Sequence, residues 1–124
     1  MSDSIERFAR DSASHLRRNV RRQVRKAHKH SDEEAIHDLR VSIRRLSECL
    51  REFSQFLPPK KTKKTLKRLG KLMDLAAELR NRDVAIELAG DVAPDLVSHL
   101  QQERQKLKGK LDRALDRWRR RGSS

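Results

Sequence analysis

His37, Arg40, Arg44 and Arg51 recur at intervals of three, four and seven, most of them within the run His37-Asp38-Leu39-Arg40-Val41-Ser42-Ile43-Arg44-Arg45-Leu46. At about 100° per residue the four fall within roughly a 60° arc of one helix. Their stripe borders an apolar seam, where side chains are held and partly dehydrated. An arginine offers a planar fork that holds two phosphate oxygens, whereas a lysine acts as a mobile point charge. A histidine donates from either ring nitrogen, and a nearby polyanion favours its charged form. A second row, Lys60, Lys64, Lys67 and Lys71, repeats at four, three and four further along the chain. A linear polyanion carries charge at short, regular intervals, so such rows match it without reading any sequence. A basic helix face is also an ordinary solvated surface. The second stripe favours a binding role, because two antiparallel helices with cations on adjoining faces form a positive groove.

Other chemistry finds little support. His15, His28, His30 and His99 have no recognisable metal-ligand spacing with acids or cysteine, and His28 and His30 fall in a loop. Asp74 and Glu78 lie one turn apart, which on a helix is ordinary surface charge. Gly-rich phosphate loops, nucleophile elbows and paired carboxylates are missing. The expectation is no catalytic residue, no metal and no cofactor.

The charge balance points to an anionic partner. The 124 residues hold 31 Lys and Arg against 18 Asp and Glu, for a net charge of +13. Inorganic polyphosphate, nucleic acid, acidic protein and anionic membrane all answer to that charge. Nucleic acid is the weaker candidate. The chain has no tyrosine, Phe8, Phe53, Phe56 and Trp118 are expected in helix packing, and stacking aromatics interleaved with basic residues are missing. A short helix-turn-helix with its own recognition helix is not found either. Membrane binding is disfavoured because the apolar seams are consumed by packing. Cys49 is the one cysteine, so an intrachain disulfide cannot form, and Met1 to Arg10 contains no apolar run. A cytoplasmic location is expected.

The elements that would position the stripes are helices. Only three prolines and four glycines interrupt the chain, and its mean hydropathy of -0.95 requires the few apolar residues to line up. The first helix runs from about Ser4 to Lys29, opened by an acidic capping box of Asp3 and Glu6, with a thin seam of Ala9, Ala13, Leu16, Val20, Val24 and Ala27. Ser31 and Glu34 form a capping box for the second helix. Its seam is Ile36, Leu39, Ile43, Leu46, Leu50, Phe53 and Leu57, and Pro58-Pro59 ends it. The third helix spans about Pro59 to Leu79 on Leu66, Leu69, Leu72, Met73, Leu75 and Ala76. Arg80-Asn81-Arg82-Asp83 breaks the pattern, Asp83 caps a short helix through Leu88, and Gly90 ends that helix. The last helix covers about Pro94 to Arg119, with Leu96, Leu100, Leu107, Leu111, Ala114 and Trp118 on one stripe. The expected fold is all-α: an antiparallel up-down four-helix bundle with a short additional helix between the third and fourth long ones. One domain spans residues 1–121, followed by a flexible tail at 122–124.

At His37-x-x-Arg40-Val41-x-x-Arg44-Arg45-Leu46 the sequence resembles the CHAD family, the conserved-histidine α-helical domains. The likeness continues through Leu50, Phe53, Leu57-Pro58 and the lysine-rich third helix. Arg80-Asn81-Arg82-Asp83-Val84 is similar to the family's downstream Arg-Asp-x-Asp-Val element, with Asn81 in place of the first Asp. The resemblance implies helical bundles that bind inorganic polyphosphate along a basic surface. It implies His37, Arg40, Arg44 and Arg45 in that surface, with Lys60, Lys64, Lys67 and Lys71 beside them. On the helical wheel Arg45 points away from the other three. Arg51, Arg18, Arg22, Arg25 and Arg80 complete the candidate set. Family domains commonly pair two bundles about a pseudo-twofold axis, and this chain has length and motif for one. The resemblance therefore implies a homodimer that recreates the two-bundle unit.

Overall fold

Helices account for nearly all of residues 2–121, the part of the chain that the computed structural model describes. They are α1 (Ser2–Lys29), α2 (Glu33–Glu52), α3 (Pro59–Val92) and α4 (Pro94–Arg121), with a 3-10 turn at Ser54–Phe56. Met1 and the tail expected at Gly122-Ser123-Ser124 lie outside the described residues. The protein is all-helical, and its described residues contain no strand.

Each helix packs against its neighbour in sequence, and α1 also packs against α4. The interior is built from Val20 and Val24 of α1, Ile36, Leu39, Ile43, Leu46 and Leu50 of α2, Leu69 and Leu79 of α3, and Leu111 and Leu115 of α4, all essentially solvent-free. Each such side chain contributes about 1.5–3 kcal/mol of transfer free energy, which lets a chain this polar fold. Cross-helix pairs set the register. Lys26 meets Asp38, and the ring of Phe8 meets that of Phe53 edge-on, so the end of α1 lies beside the start of α2. Arg82 meets Glu103 while Arg68 covers Trp118, so α3 and α4 also run in opposite directions.

The structure corrects several expectations about element ends. α1 begins at Ser2, so Asp3 is in its first turn instead of capping it. The cap of α2 is Asp32, not Ser31: its carboxylate accepts from the Ala35 amide at 2.8 Å. Asp32 sits at the positive end of the helix, where its negative charge is favoured. α2 ends at Glu52, ahead of Pro58-Pro59. Phe53 closes it and Leu57 is extended, as a residue before proline prefers. α4 reaches Arg121, and its first turns leave Leu96 exposed. Phe8, assigned to packing, is 60% exposed.

The largest correction concerns α3. The short additional helix does not exist, because α3 is unbroken from Pro59 to Val92. Asp83 caps nothing; its carboxylate receives the Arg104 guanidinium of α4. No residue from Arg80 to Gly90 is a proline, and polar residues alone do not stop a helix. Instead they link it to its neighbours: Arg80 to Glu33 at 3.3 Å, Arg82 to Glu103 at 3.1 Å, Asp83 to Arg104. Arg104 also donates to the Ser31 carbonyl at 3.3 Å, tying the α1–α2 loop to α4.

Candidate functional site

The helical period of α2 divides its surface in two. Leu39, Ile43, Leu46 and Leu50 turn inward, while His37, Val41, Arg44 and Arg45 are left on the opposite flank, along α1. There they meet Leu16, Asn19, Arg22 and Gln23 of α1. With Asp38 and Ser42 these residues line an open groove of about 570 Å³. Ser42 suits this position because it is small and its hydroxyl is already spent, donating to the Leu39 carbonyl at 2.8 Å. From His37 to Arg44 the groove follows about 10 Å of helix axis, room for several units of an extended chain.

The groove is cationic. Arg22, Arg44 and Arg45 bring three guanidinium groups, and all three are exposed, as is His37. The one carboxylate in the lining, Asp38, is balanced by Lys26 at 3.9 Å. Guanidinium groups on both walls can clasp an anion from two sides, with Asn19 and His37 supplying further hydrogen bonds.

The sequence-derived set divides between this groove and other faces. His37, Arg44, Arg45 and Arg22 come together, and Arg45 sits beside the others although the wheel of α2 turned it away. The groove forms between two helices and draws on a wider arc than one stripe. Arg40 is half-buried outside the groove lining, its Nε buried without a partner. Arg51 is exposed near the end of α2. Arg18 and Arg25 are exposed on the side of α1 opposite its buried Ala9, Val20 and Ala27. Arg80 is tied to Glu33.

The lysine row does not adjoin the arginine stripe. Lys60, Lys64, Lys67 and Lys71 are exposed. By helical period they lie opposite Arg80, the α3 residue that reaches α2. The expected α2–α3 groove is therefore replaced by the α1–α2 groove, and Lys71 lines a separate cleft with α4. Asn19 and Gln23 were missed as groove residues. Their signal was available: they stand at i+3 and i+7 from Leu16, on the flank of the α1 seam.

Two further titratable groups are shifted where α1 meets α2. Burial holds the Arg17 guanidinium below its ordinary value, opposed by the charge of Cys49. Burial pushes the Cys49 thiol up, opposed by Arg17. Among the described residues no group of three His, Cys, Asp or Glu side chains converges to hold a metal ion, and no helix is long and apolar enough to cross a membrane.

These features define an all-helical protein with a cation-lined interhelical groove. The family model of the CHAD domain matches residues 7–122, nearly the whole chain, and the protein belongs to that family. Neither a search of curated proteins nor one of solved structures returned a match.

Proposed function

We propose that this protein binds inorganic polyphosphate, without catalysing a reaction on it, along the α1–α2 groove. The observation that carries the reading is the convergence of Arg22, Arg44, Arg45 and His37 on one open groove whose single acid is already paired. An open groove with cations on both walls suits a chain that lies lengthwise and repeats its charge. Membership in the CHAD family, linked in general to polyphosphate, points the same way. In this reading the four helices form an antiparallel up-down bundle, and the location is cytoplasmic, for which the support is the free, buried Cys49.

The reading includes a homodimer. Its support is the far end of α3 and the start of α4, which run on past the Arg80–Glu33 pair at the beginning of α2. There Val84, Leu88, Val92 and Leu96 leave apolar surface exposed, Val92 by 82%. Exposed apolar side chains gathered in one region are a common mark of a docking face. Sedimentation with polyphosphate present is expected to give a dimer; a monomer at high concentration removes this part of the reading.

The test of function is competition among long-chain polyphosphate, orthophosphate, single-stranded RNA and duplex DNA at physiological salt. Preference for polyphosphate is expected. Equal affinity for nucleic acid rejects the reading in favour of a general basic surface, for which the net charge of +13 would suffice.

A further inference from the structure

The helix pair α3 and α4 carries a second cationic site, separate from the groove. Arg68 and Lys71 of α3 face Arg117, Trp118 and Arg121 of α4 across a cleft of about 210 Å³, floored by Leu72. The cleft lining contains no carboxylate. Lys71, Arg117 and Arg121 make no ion pair among the described residues. The Arg68 guanidinium lies over the Trp118 ring, 4.3 Å from its centroid, a cation–π contact that fixes it in place. Trp118 is 2% exposed, and its Nε1 is buried with no acceptor.

Four cations gathered in one concave site repel one another, and an anion relieves that repulsion. Burial, and after it the charge of Arg121, holds the Arg68 guanidinium below its ordinary value. A purely helical explanation falls short. Basic residues in the last turn of α4 complement its negative end. That does not explain why Arg68 and Lys71 approach them from α3. At about 210 Å³ against about 570 Å³ for the groove, the cleft suits a compact anion better than a length of polymer.

We propose that the α3–α4 cleft is a second anion site that takes a single, multiply charged phosphoryl group. Arg68, Lys71, Arg117 and Arg121 supply the cations, and the Trp118 ring beneath Arg68 forms part of the wall. Free phosphate or pyrophosphate has this chemistry, and so does the end of a longer polyphosphate. The site does not depend on the groove reading, because the two are built from different helix pairs.

Trp118 is the only tryptophan and the chain has no tyrosine, so its fluorescence reports this cleft alone. The titration uses a His37→Ala, Arg44→Gln, Arg45→Gln background, in which the groove is weakened, at constant ionic strength. Orthophosphate, pyrophosphate and long-chain polyphosphate are the probes, the last plotted against chain ends. A saturable change is expected, weakened about tenfold or more by adding Arg117→Gln and Arg121→Gln. Response to the small anions assigns free phosphate as the source. Response to the polymer alone, scaling with its ends, assigns the terminal group. Phosphorus line broadening of the same probes provides a second readout. A silent tryptophan with unbroadened lines for every probe overturns the proposal, as does a response undiminished by the two arginine replacements.

Discussion

Neutralising Arg44 and Arg45 separates a built groove from diffuse charge. The double replacement Arg44→Gln, Arg45→Gln removes two of the three guanidinium groups in the α1–α2 groove and takes the net charge from +13 to +11 (13 − 2). Each cation that contacts a single-stranded polyanion contributes about 0.7 to the slope of log affinity against log salt. The slope should therefore fall by about 1.4 in magnitude. Both side chains are exposed, so each contact contributes about 1 kcal/mol and not the larger value of a buried pair. The pair together corresponds to a loss of roughly thirtyfold in affinity at low salt. The control is Arg18→Gln, Arg25→Gln, an equal change in charge on the outward side of α1. It should alter the slope much less. Fluorescence anisotropy of end-labelled polyphosphate over a salt series measures both. Equal slope changes for the two variants would refute the groove, because only total charge would then matter.

Three more predictions concern the frame that holds the groove. Arg104→Met loses the contact with Asp83 and the donation to the Ser31 carbonyl, with side chains only 23% and 26% exposed. The expected loss is about 2 kcal/mol in denaturant unfolding, with a coupling of about 1 kcal/mol in a cycle with Asp83→Asn; additivity would contradict it. Asn81→Pro falls inside the unbroken α3 and should cost about 3 kcal/mol or more, whereas an unchanged midpoint would mean that the helix breaks there. Cys49 keeps its proton longer in the folded chain than in the unfolded one, because burial raises its pKa. The unfolded chain therefore ionises first, and stability should fall as pH rises above about 8.5. Cys49→Ala should lose less stability over that interval, and equal losses would contradict the assignment.

The helices were legible because their apolar residues repeat with helical period. The seam residues Val20, Val24, Leu39, Ile43, Leu46, Leu69 and Leu111 are all buried. What misled was reading polar clusters as breaks. Arg80-Asn81-Arg82-Asp83 resembles a helix end when taken alone, but Glu33, Glu103 and Arg104, which pair with it, are distant in sequence. The site was half legible for the same reason. A single-helix wheel groups His37 with Arg40 and Arg44, whereas a groove belongs to two helices, and only packing reveals which flank of α2 meets α1. That choice brought in Arg45 and Arg22 and left Arg40 out. It also turned the lysines of α3 away from the arginines of α2.

Amide chemical-shift mapping of isotope-labelled protein during polyphosphate addition locates the bound surface residue by residue. Saturable shifts are expected to concentrate at Leu16, Asn19, Arg22 and Gln23 of α1 and at residues 37–45 of α2, the two walls of the groove. The outward side of α1, around Arg18 and Arg25, should respond least within those helices. Shifts spread evenly over all four helices, or centred on the Lys60 to Lys67 face of α3, would contradict it.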